Sequence, residues 1–393
     1  MDSDILCLLC RRLLHNHPTI RLVLMSATLA AELYSQYFGS PPPIHVGVRR
    51  FPINEYFVED LESQLSLSRK HAQYAQDIYD ECKKNRCSSA PPDAIKDKMY
   101  HLASQITASV GQHGSSVLIF VAGMSDIESI TELIEKINIR GVTLTCFPIH
   151  SDVPFEEQME AFEPPKEGEV KVVIATNAAE SSVTLPDVDH VICLGLCKQI
   201  VYNKVSHRQQ LIPTWISNAS ATQRAGRTGR VRIGNVYRLY SRIAYDEYFD
   251  AFEAGEILRT PLDSVILNLR DMLREPVTEI LQDCIEAPDI TTIERSFQSL
   301  HASNFISLPS DEGEITSLGE LVVALGIDLK LGALVGMGIQ FGVAAESIEL
   351  AAILSSQRTP WAISSPMYHD TATFNTIGEL FSLAIVDYFV SVL

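Results

Sequence analysis

The chain has 393 residues, 46% of them hydrophobic and 20% charged, which is typical of a folded globular protein and too long for a single core. Its formal net charge of −18 excludes a protein that binds nucleic acid over its whole surface, because phosphates are bound by Lys and Arg. Residues 198–242 are the exception, with nine Lys/Arg and no Asp or Glu. This segregation of charge predicts one local anion site.

The first elements predicted along the chain are a helix, a strand and a second helix. Apolar residues at helical spacing favour a helix over 4–15, and the apolar run 21–25 favours a short buried strand. A helix is predicted over 30–38, ending at Gly39. The three prolines at 41–43 then indicate a domain boundary.

The middle of the chain alternates between apolar runs of strand length and helical segments. A helix is predicted over 125–137, with Ser125 and Glu128 as a capping box. The polar residues 62–92 are interpreted as an insertion or mobile loop. Strands are predicted at 117–121, 142–147, 170–175, 188–194 and 236–240. Buried strands that alternate with helices predict an α/β fold with a mostly parallel sheet.

The C-terminal third is predicted to be mainly helical. Apolar faces at 265–273 and 293–300, followed by a small hairpin within 304–316, favour a winged helix. Further helices are predicted over 318–325, 330–337 and 345–354. The apolar run 380–393 is too short to span a bilayer, so we expect no membrane partner.

The segment Gln223 to Arg230, QRAGRTGR, is the most informative stretch of the chain. Ser220 and Gln223 have the S-x-x-Q spacing of a helix start, which predicts that Gln223, Arg227 and Arg230 lie on one helical face. Two guanidinium groups on an exposed face suit a polyphosphate, because each makes paired contacts to anionic oxygens. From spacing alone, a solvated basic helix is equally consistent.

These eight residues resemble the last conserved motif, Q-R-x-G-R-x-G-R, of DEAH-type helicases of superfamily 2, and match all six fixed positions. The resemblance implies an ATP-dependent RNA helicase. The fold it implies is a RecA-like parallel sheet with flanking helices, followed by a winged helix and a partial helical ratchet domain. It also implies that Gln223, Arg227 and Arg230 face the γ-phosphate of ATP, with both arginines stabilising the transferred phosphoryl group.

Shorter segments resemble other motifs of that family, in the family's order. Ser26-Ala27-Thr28 resembles the SAT motif, which implies that Ser26 and Thr28 couple the nucleotide state to strand separation. The segment 118–127 resembles the motif whose loop contacts RNA backbone, which implies RNA contact by Met124 and Ser125. Residues 199–213 resemble the family's long β-hairpin, a wedge beside the nucleic acid.

Residues 176–184, TNAAESSVT, resemble the family's T-N-I-A-E-T-S-L-T. The resemblance implies a role for Thr176 on the nucleotide side and RNA contact by Thr184. Pro186 stands where many members have an aspartate that reaches the ribose, and the adjacent Asp187 is the candidate for that role. Phe162 lies where members have an aromatic residue that packs against adenine. The alternative interpretation is that Phe162 is an aromatic residue of the core.

The resemblance further implies ATP with Mg²⁺ as cofactor, RNA as partner and a protein cofactor as a further candidate partner. The family's G-x-x-x-x-G-K-[ST] and D-E-x-H motifs are missing from this sequence, so we expect a fragment that does not hydrolyse ATP by itself. No metal site is expected in the chain, because Cys7 and Cys10 have no second ligand pair nearby. The expected domains are 1–48, the end of a first RecA-like domain; 49–250, a second one with an insertion near 62–95; 251–325, a winged helix; and 326–393, part of the ratchet domain.

Two other functions compete with that of an RNA helicase. One is a non-catalytic module that binds RNA or a protein, and another is action on DNA, since no residue here indicates recognition of a 2′-hydroxyl. The triplet 150–152, His-Ser-Asp, does not make a hydrolase relay, because successive side chains of an extended segment point in opposite directions. Scattered cysteines without a signal sequence predict an intracellular protein, nuclear or cytoplasmic.

Overall fold

The computed structural model describes residues 2–25, 31–42, 44, 51–139, 141–166, 168–181, 185, 187–203, 208–273 and 275–355. The chain divides into two compact units, Met1–Thr260 with Gln282–Pro288 and Pro261–Leu281 with Asp289–Leu393. All eight cysteines are free thiols. None of the helices within the described ranges is both long and apolar enough to cross a membrane.

The first unit is built on a six-stranded sheet in which every neighbouring pair is parallel. Its order is β1-β8-β5-β2-β4-β3, and β6 and β7 form a separate antiparallel hairpin. The strands are β1 (Ile53–Tyr56), β2 (Ser116–Phe120), β3 (Thr143–Ile149), β4 (Glu169–Ala175), β5 (His190–Cys193), β6 (Leu196–Asn203), β7 (Arg208–Trp215) and β8 (Gly234–Arg238). Every residue of β2 is buried, as expected for the centre of a sheet covered on both faces. The predicted parallel α/β fold is confirmed, with the five predicted strands within two residues of their expected limits.

Helices flank this sheet, and those predicted over 4–15, 30–38 and 125–137 are confirmed. The helices of this unit are α1 (Asp2–Asn16), α2 (Ala31–Phe38), α3 (Leu61–Gln64), α4 (Arg69–Asn85), α5 (Asp93–Val110), α6 (Met124–Glu135), α7 (Phe155–Met159), α8 (Ala178–Ser181), α9 (Asn218–Ala225) and α10 (Glu256–Arg259). Short 3₁₀ turns are present at Val58–Asp60 and Glu160–Phe162, and one π-helical turn at Ala244–Tyr248.

The segment 62–92, expected to be an insertion or mobile loop, contains the 17-residue helix α4. Its high polarity conceals a narrow apolar stripe, because only Ala75, Ile78 and Cys82 are buried, at spacings of three and four residues. The Ser68 hydroxyl caps the helix by accepting the His71 N–H at 3.4 Å. A helix with one thin buried stripe on an otherwise charged surface explains why composition indicated a loop.

The strand expected over 21–25 is absent, and these five residues have no regular secondary structure. Val23 and Met25 are 77% and 91% exposed. An apolar run becomes a strand only when a neighbouring strand takes its backbone hydrogen bonds. None of the strands in the described part of the chain pairs with this run.

The part of the second unit that the structure describes is helical. Its helices are α11 (Asp263–Met272), α12 (Val277–Gln282), α13 (Ile290–Ala302), α14 (Ser317–Leu325), α15 (Leu329–Phe341) and α16 (Ala344–Ser355). An antiparallel bridge between Ile306 and Ile315 closes the predicted hairpin, so the helix and hairpin order expected for a winged helix is present. The Asp311 carboxylate accepts the Val277 N–H at 2.6 Å, which fixes the start of α12. The proposed limits of the four domains stay a prediction.

Candidate nucleotide and RNA interface

Three neighbouring strands, β4, β2 and β5, end at the same edge of the parallel sheet. They pair side by side, and the segments that follow them begin at Thr176, Val121 and Leu194. Ligands of open α/β sheets bind at the carboxyl ends of the strands, because the connecting loops gather there. Thr176 follows β4 directly, and Met124 and Ser125 lie in the segment after β2.

Glu180 connects the segment after β4 to helix α9. Its Oε2 accepts hydrogen bonds from the Ser220 hydroxyl at 2.8 Å and from Arg224 Nε at 3.0 Å. Its main-chain oxygen accepts a hydrogen bond from Arg227 Nη2. One residue of the TNAAES segment therefore holds the start of α9, its buried arginine and one of the two arginines assigned to the γ-phosphate.

The Arg224 side chain is fully buried, which is rare for an arginine. Its Nη1 donates to the Leu196 carbonyl at 3.1 Å, and its guanidinium carbon lies 5.0 Å from the centre of the Phe120 ring. Phe120 ends β2 and Leu196 begins β6. Arg224 thus joins three of the segments at the sheet edge, an organising role that the motif alone did not indicate.

Helix α9 differs from the predicted one. Its N-cap is Ser217, whose hydroxyl accepts the Ser220 N–H at 3.1 Å, so the expected capping box of Ser220 and Gln223 is wrong. The helix ends at Ala225, before Arg227. The expectation that Gln223, Arg227 and Arg230 lie on one helical face is therefore wrong. The glycines are the physical reason, because glycine is among the poorest residues for continuing a helix.

The turn after α9 is held by a buried threonine and a glycine. The Thr228 hydroxyl donates to the carbonyls of Val188 and Asp189 at 2.8 and 2.9 Å, which ties the turn to the segment before β5. Gly229 has φ +73°, and a Cβ there would lie 2.7 Å from Ile53 Cγ1. Such a backbone position suits glycine alone.

The three motif residues on either side of this turn are half-buried. Arg227 and Arg230 flank the Thr228–Gly229 pair, and Gln223 lies in the last turns of α9. Arg227 is held by Glu180, whereas Arg230 makes no ion pair or hydrogen bond with another described residue. Thr228 and Gly229 are buried and hold this turn in place. The backbone positions from which Arg227 and Arg230 extend their guanidinium groups are therefore fixed.

The residues assigned to adenine and ribose are linked by Lys171, which the sequence analysis missed. Lys171 is 1% exposed, and its Nζ donates to the Glu163 carbonyl at 2.9 Å and to both Asp187 oxygens at 3.0 and 2.9 Å. Phe162 precedes Glu163 and packs, half-buried, against the core. Lys171 therefore fixes the Phe162 and Asp187 segments relative to each other. The available signal was a lysine within the otherwise apolar run 170–175.

Thr176 follows β4 directly and is buried. Its N–H donates to the Ile149 carbonyl at 3.3 Å, and its own carbonyl accepts the Ala179 N–H at 3.1 Å. These bonds fix the bend from β4 into α8. Thr184, assigned to RNA contact, lies outside the described residues, as do Ser26 and Thr28.

Met124 and Ser125, the other residues assigned to RNA contact, form the first turn of α6. The Asp126 carboxylate accepts the N–H groups of Ala122 and Gly123 at 2.9 and 3.0 Å, so the expected Ser125–Glu128 capping box is replaced by an aspartate cap. The Tyr100 hydroxyl donates to Asp126 at 2.7 Å. Burial, and then this bond to the carboxylate, raise the pKa of Tyr100, which stays a neutral donor.

Within the described ranges, no group of three or more His, Cys, Asp or Glu side chains is arranged to hold a metal ion. The donors gathered at the sheet edge are guanidinium, amide and hydroxyl groups, which suit phosphate oxygens rather than a hard cation. The residues described at this edge therefore do not by themselves fit a Mg²⁺ site.

Comparison with known proteins identifies a conserved domain. The helicase conserved C-terminal domain family matches residues 97–232. The chain is 30% identical to the DExH-box ATP-dependent RNA helicase DExH1 of Arabidopsis thaliana, over 92% of the chain and 39% of that protein. It is 32% identical to the ATP-dependent RNA helicase TDRD9 of Danio rerio, over 90% of the chain and 28% of that protein. The chain thus spans about two fifths or less of the length of these relatives.

Two solved structures share the fold. The E. coli DExH-box NTPase HrpB superimposes with a TM-score of 0.69 over 91% of the chain and 39% of that protein, at 21% identity. A second HrpB structure, described as a DEAH/RHA helicase, gives a TM-score of 0.71 over 91% of the chain and 41% of that protein, at 20% identity. The chain carries the helicase conserved C-terminal domain over residues 97–232, and over about nine tenths of its length it is similar to DExH-box ATP-dependent RNA helicases.

Proposed function

We propose that this chain supplies one half of the ATP site, and part of the RNA path, of an ATP-dependent RNA helicase. The observation that carries the proposal is the Glu180 network. One residue holds Arg227 through its main chain, and it holds Arg224 and the start of α9 through its side chain. A guanidinium fixed in this way is preorganised to meet charge on a phosphoryl group, and such an arginine contributes about 10³–10⁵ in rate.

On the nucleotide side, Gln223, Arg227 and Arg230 contact the γ-phosphate, Phe162 packs against adenine and Thr176 shapes the bend beside the phosphates. Asp187 accepts a ribose hydroxyl while it remains paired with Lys171. This role is compatible with its surroundings, because the Asp187 side chain is 26% exposed although both of its oxygens are bound by Lys171. A carboxylate has lone pairs beyond those that Lys171 uses.

When bound, Mg²⁺ would neutralise charge that develops on the phosphates. Its protein ligands would come from a second lobe, which also carries the phosphate-binding lysine, because this chain lacks the corresponding motifs. The role of this chain is then to orient donors and to complete the pocket. By itself it does not turn over ATP.

On the RNA side, Met124, Ser125 and Thr184 contact the backbone of the strand, and Ser26 and Thr28 couple the nucleotide state to strand displacement. A protein cofactor would act on the whole helicase. The helicase would work inside the cell, in the nucleus or the cytoplasm. A non-catalytic RNA- or protein-binding module is the competing function.

The first test is the coding sequence upstream of this chain. We expect an in-frame G-x-x-x-x-G-K-[ST] loop followed by a D-E-x-H strand, and its absence from the transcript would support the non-catalytic module instead. The second test uses this chain alone, with ATP hydrolysis measured with and without RNA. We expect no RNA-stimulated hydrolysis. Turnover that Arg227→Ala abolishes would contradict the assignment of the lysine and carboxylates to another lobe.

In a protein that contains both lobes, Arg227→Ala and Arg230→Ala should each lower kcat by about 10³. RNA affinity should be retained, because neither arginine is assigned to RNA. Arg232→Ala is the matched control, since Arg232 is exposed and pairs with Asp189. An equal loss in this control would mean that the effect of the other two variants is structural.

A further inference from the structure

Lys198 reaches the same sheet edge as the loop after β2. It lies in β6, just beyond the end of β5, and β5 pairs with β2. A Cβ built on Gly123 would lie 2.6 Å from Lys198 Nζ and 2.7 Å from its Cε. The ammonium group therefore lies directly over the Gly123 backbone, one residue before Met124.

The need for glycine at position 123 is spatial. Its φ and ψ are −167° and −177°, an extended conformation that any residue adopts. What a side chain would meet is Lys198. Gly123 and Lys198 thus form a matched pair, in which the missing side chain makes space for the ammonium group.

No residue that the structure describes engages the Lys198 ammonium. Lys198 is exposed and has no ion pair or hydrogen bond to any residue that the structure describes. The nearby Asp126 carboxylate is occupied by the N–H groups of Ala122 and Gly123 and by the Tyr100 hydroxyl. Among the described residues, therefore, no partner explains the position of Lys198 over the loop.

The strand that carries Lys198 is anchored on both sides. The Ile200 carbonyl accepts a hydrogen bond from Arg259 Nη1 at 3.1 Å, and the Ile216 N–H donates to the Gly195 carbonyl at 3.0 Å. A cation on an anchored strand offers a charge at a nearly fixed position, which lowers the entropy lost on binding.

We infer that Lys198 binds a backbone phosphate of the RNA strand, next to the contacts proposed for Met124 and Ser125, and that Gly123 makes space for it. This inference rests on the proposed function and adds to it a residue outside the motifs that suggested the RNA path. Lys198 Nζ donates to a phosphate oxygen, and the exposed Ser125 hydroxyl is the nearest neutral donor on the same loop. Such a contact adds affinity without sequence preference.

The test measures binding of a fluorescently labelled oligo(U) RNA to this chain over a range of salt concentrations. Losing one phosphate contact on single-stranded nucleic acid makes the negative slope of log K against log[salt] shallower by about 0.7, and lowers affinity near 0.1 M salt by about fivefold. We expect this loss for Lys198→Ala and Lys198→Gln, and affinity close to wild type for Lys198→Arg. The control is Lys136→Ala, at the far end of α6, where Lys136 is 71% exposed.

Gly123→Ala provides an independent arm. Its new methyl group collides with the flexible end of Lys198, so it should displace the ammonium and weaken RNA binding while the melting curve stays unchanged. In the Lys198→Ala background it should add no further loss. If both substitutions weaken binding additively, the pairing of the two residues is wrong.

Failure of this inference is distinguishable from failure of the proposed function. If the wild-type chain binds RNA and Lys198→Ala keeps both its affinity and its salt slope, only the role of Lys198 is overturned. If the wild-type chain binds no RNA even at low salt, both are overturned.

Discussion

Glu180 and Arg224 form an ion pair inside the protein, with Arg224 Nε 3.0 Å from Glu180 Oε2. The Arg224 side chain is fully buried, the Glu180 side chain is 14% exposed, and the Arg224 Nη2 atom has no hydrogen-bond partner. Burying an arginine is costly, and the carboxylate, the Leu196 carbonyl and the Phe120 ring offset that cost. The pair therefore links the segment after β4 to α9. Breaking it should cost more stability than breaking a surface ion pair does.

Removing the carboxylate should strongly destabilise the first unit. Glu180→Ala leaves Arg224 buried without its anion, and we expect a loss of about 3 kcal/mol in the free energy of unfolding. Glu180→Gln keeps an acceptor and should cost less, about 1.5 kcal/mol. Urea unfolding followed by circular dichroism measures both. The control is Glu132→Ala, which removes a 3.7 Å pair between exposed side chains and should change stability by less than about 0.5 kcal/mol. Equal losses for Glu180→Ala and this control would contradict a structural role for the buried pair.

Gly195 is predicted to tolerate no side chain. It has φ +77°, and a Cβ there would lie 2.5 Å from the ring carbon Cδ1 of the buried Tyr240. Gly114 has φ +74° with nothing within 4 Å of such a Cβ, so it isolates the backbone cost. Gly114→Ala should cost about 1 kcal/mol, and Gly195→Ala about 1–3 kcal/mol more because of overpacking. Thermal melting of the two variants measures the difference, and equal melting temperatures would show that the Tyr240 ring moves away at no cost.

Lys171 and Asp187 should be energetically coupled. Lys171→Met removes the ammonium and leaves Asp187 facing a buried apolar chain, whereas Asp187→Asn leaves the buried ammonium with a neutral partner. Each single substitution should destabilise by about 2–4 kcal/mol. The double substitution should lose less than the sum, with a coupling energy of about 1–3 kcal/mol. A double-mutant cycle in urea measures it, and strict additivity would mean that the ion pair contributes nothing to stability.

His190 should make the first unit sensitive to mild acid. Burial lowers the pKa of His190, with the neighbouring Asp189 opposing the shift. Below about pH 6.5 the unfolded chain gains a proton on this histidine, whereas the folded chain does not. Stability present at neutral pH is therefore lost as the pH falls below about 6.5.

The measurement is the melting temperature between pH 7.5 and 5.5, for wild type and His190→Gln. The variant should lose less stability over this interval than wild type does. The exposed His113→Gln serves as the control for removing one histidine. Parallel pH dependences for wild type and His190→Gln would show that another group causes the acid sensitivity.

The sheet was predictable because its strands are encoded locally. Runs such as Val117–Phe120 are apolar at every position, and such runs occur where both faces of a parallel sheet are covered. The error at 21–25 arises because the same local signal needs a partner strand. Helix α4 was missed because three buried side chains were enough to dock it.

The motif residues show a similar division. The sequence by itself determined which chemical groups are present, since QRAGRTGR contains a glutamine and three arginines, two of them assigned to a polyphosphate, and resembles a motif of one helicase family. The tertiary structure alone decided how they are held. Helix α9 stops at Ala225, Arg227 is fixed by the Glu180 carbonyl, and the Lys171–Asp187 and Gly123–Lys198 pairs join residues far apart in the chain. A sequence motif specifies the chemical groups that the reaction requires. Burial and long-range hydrogen bonds depend instead on which strands lie side by side, and only the tertiary structure determines that.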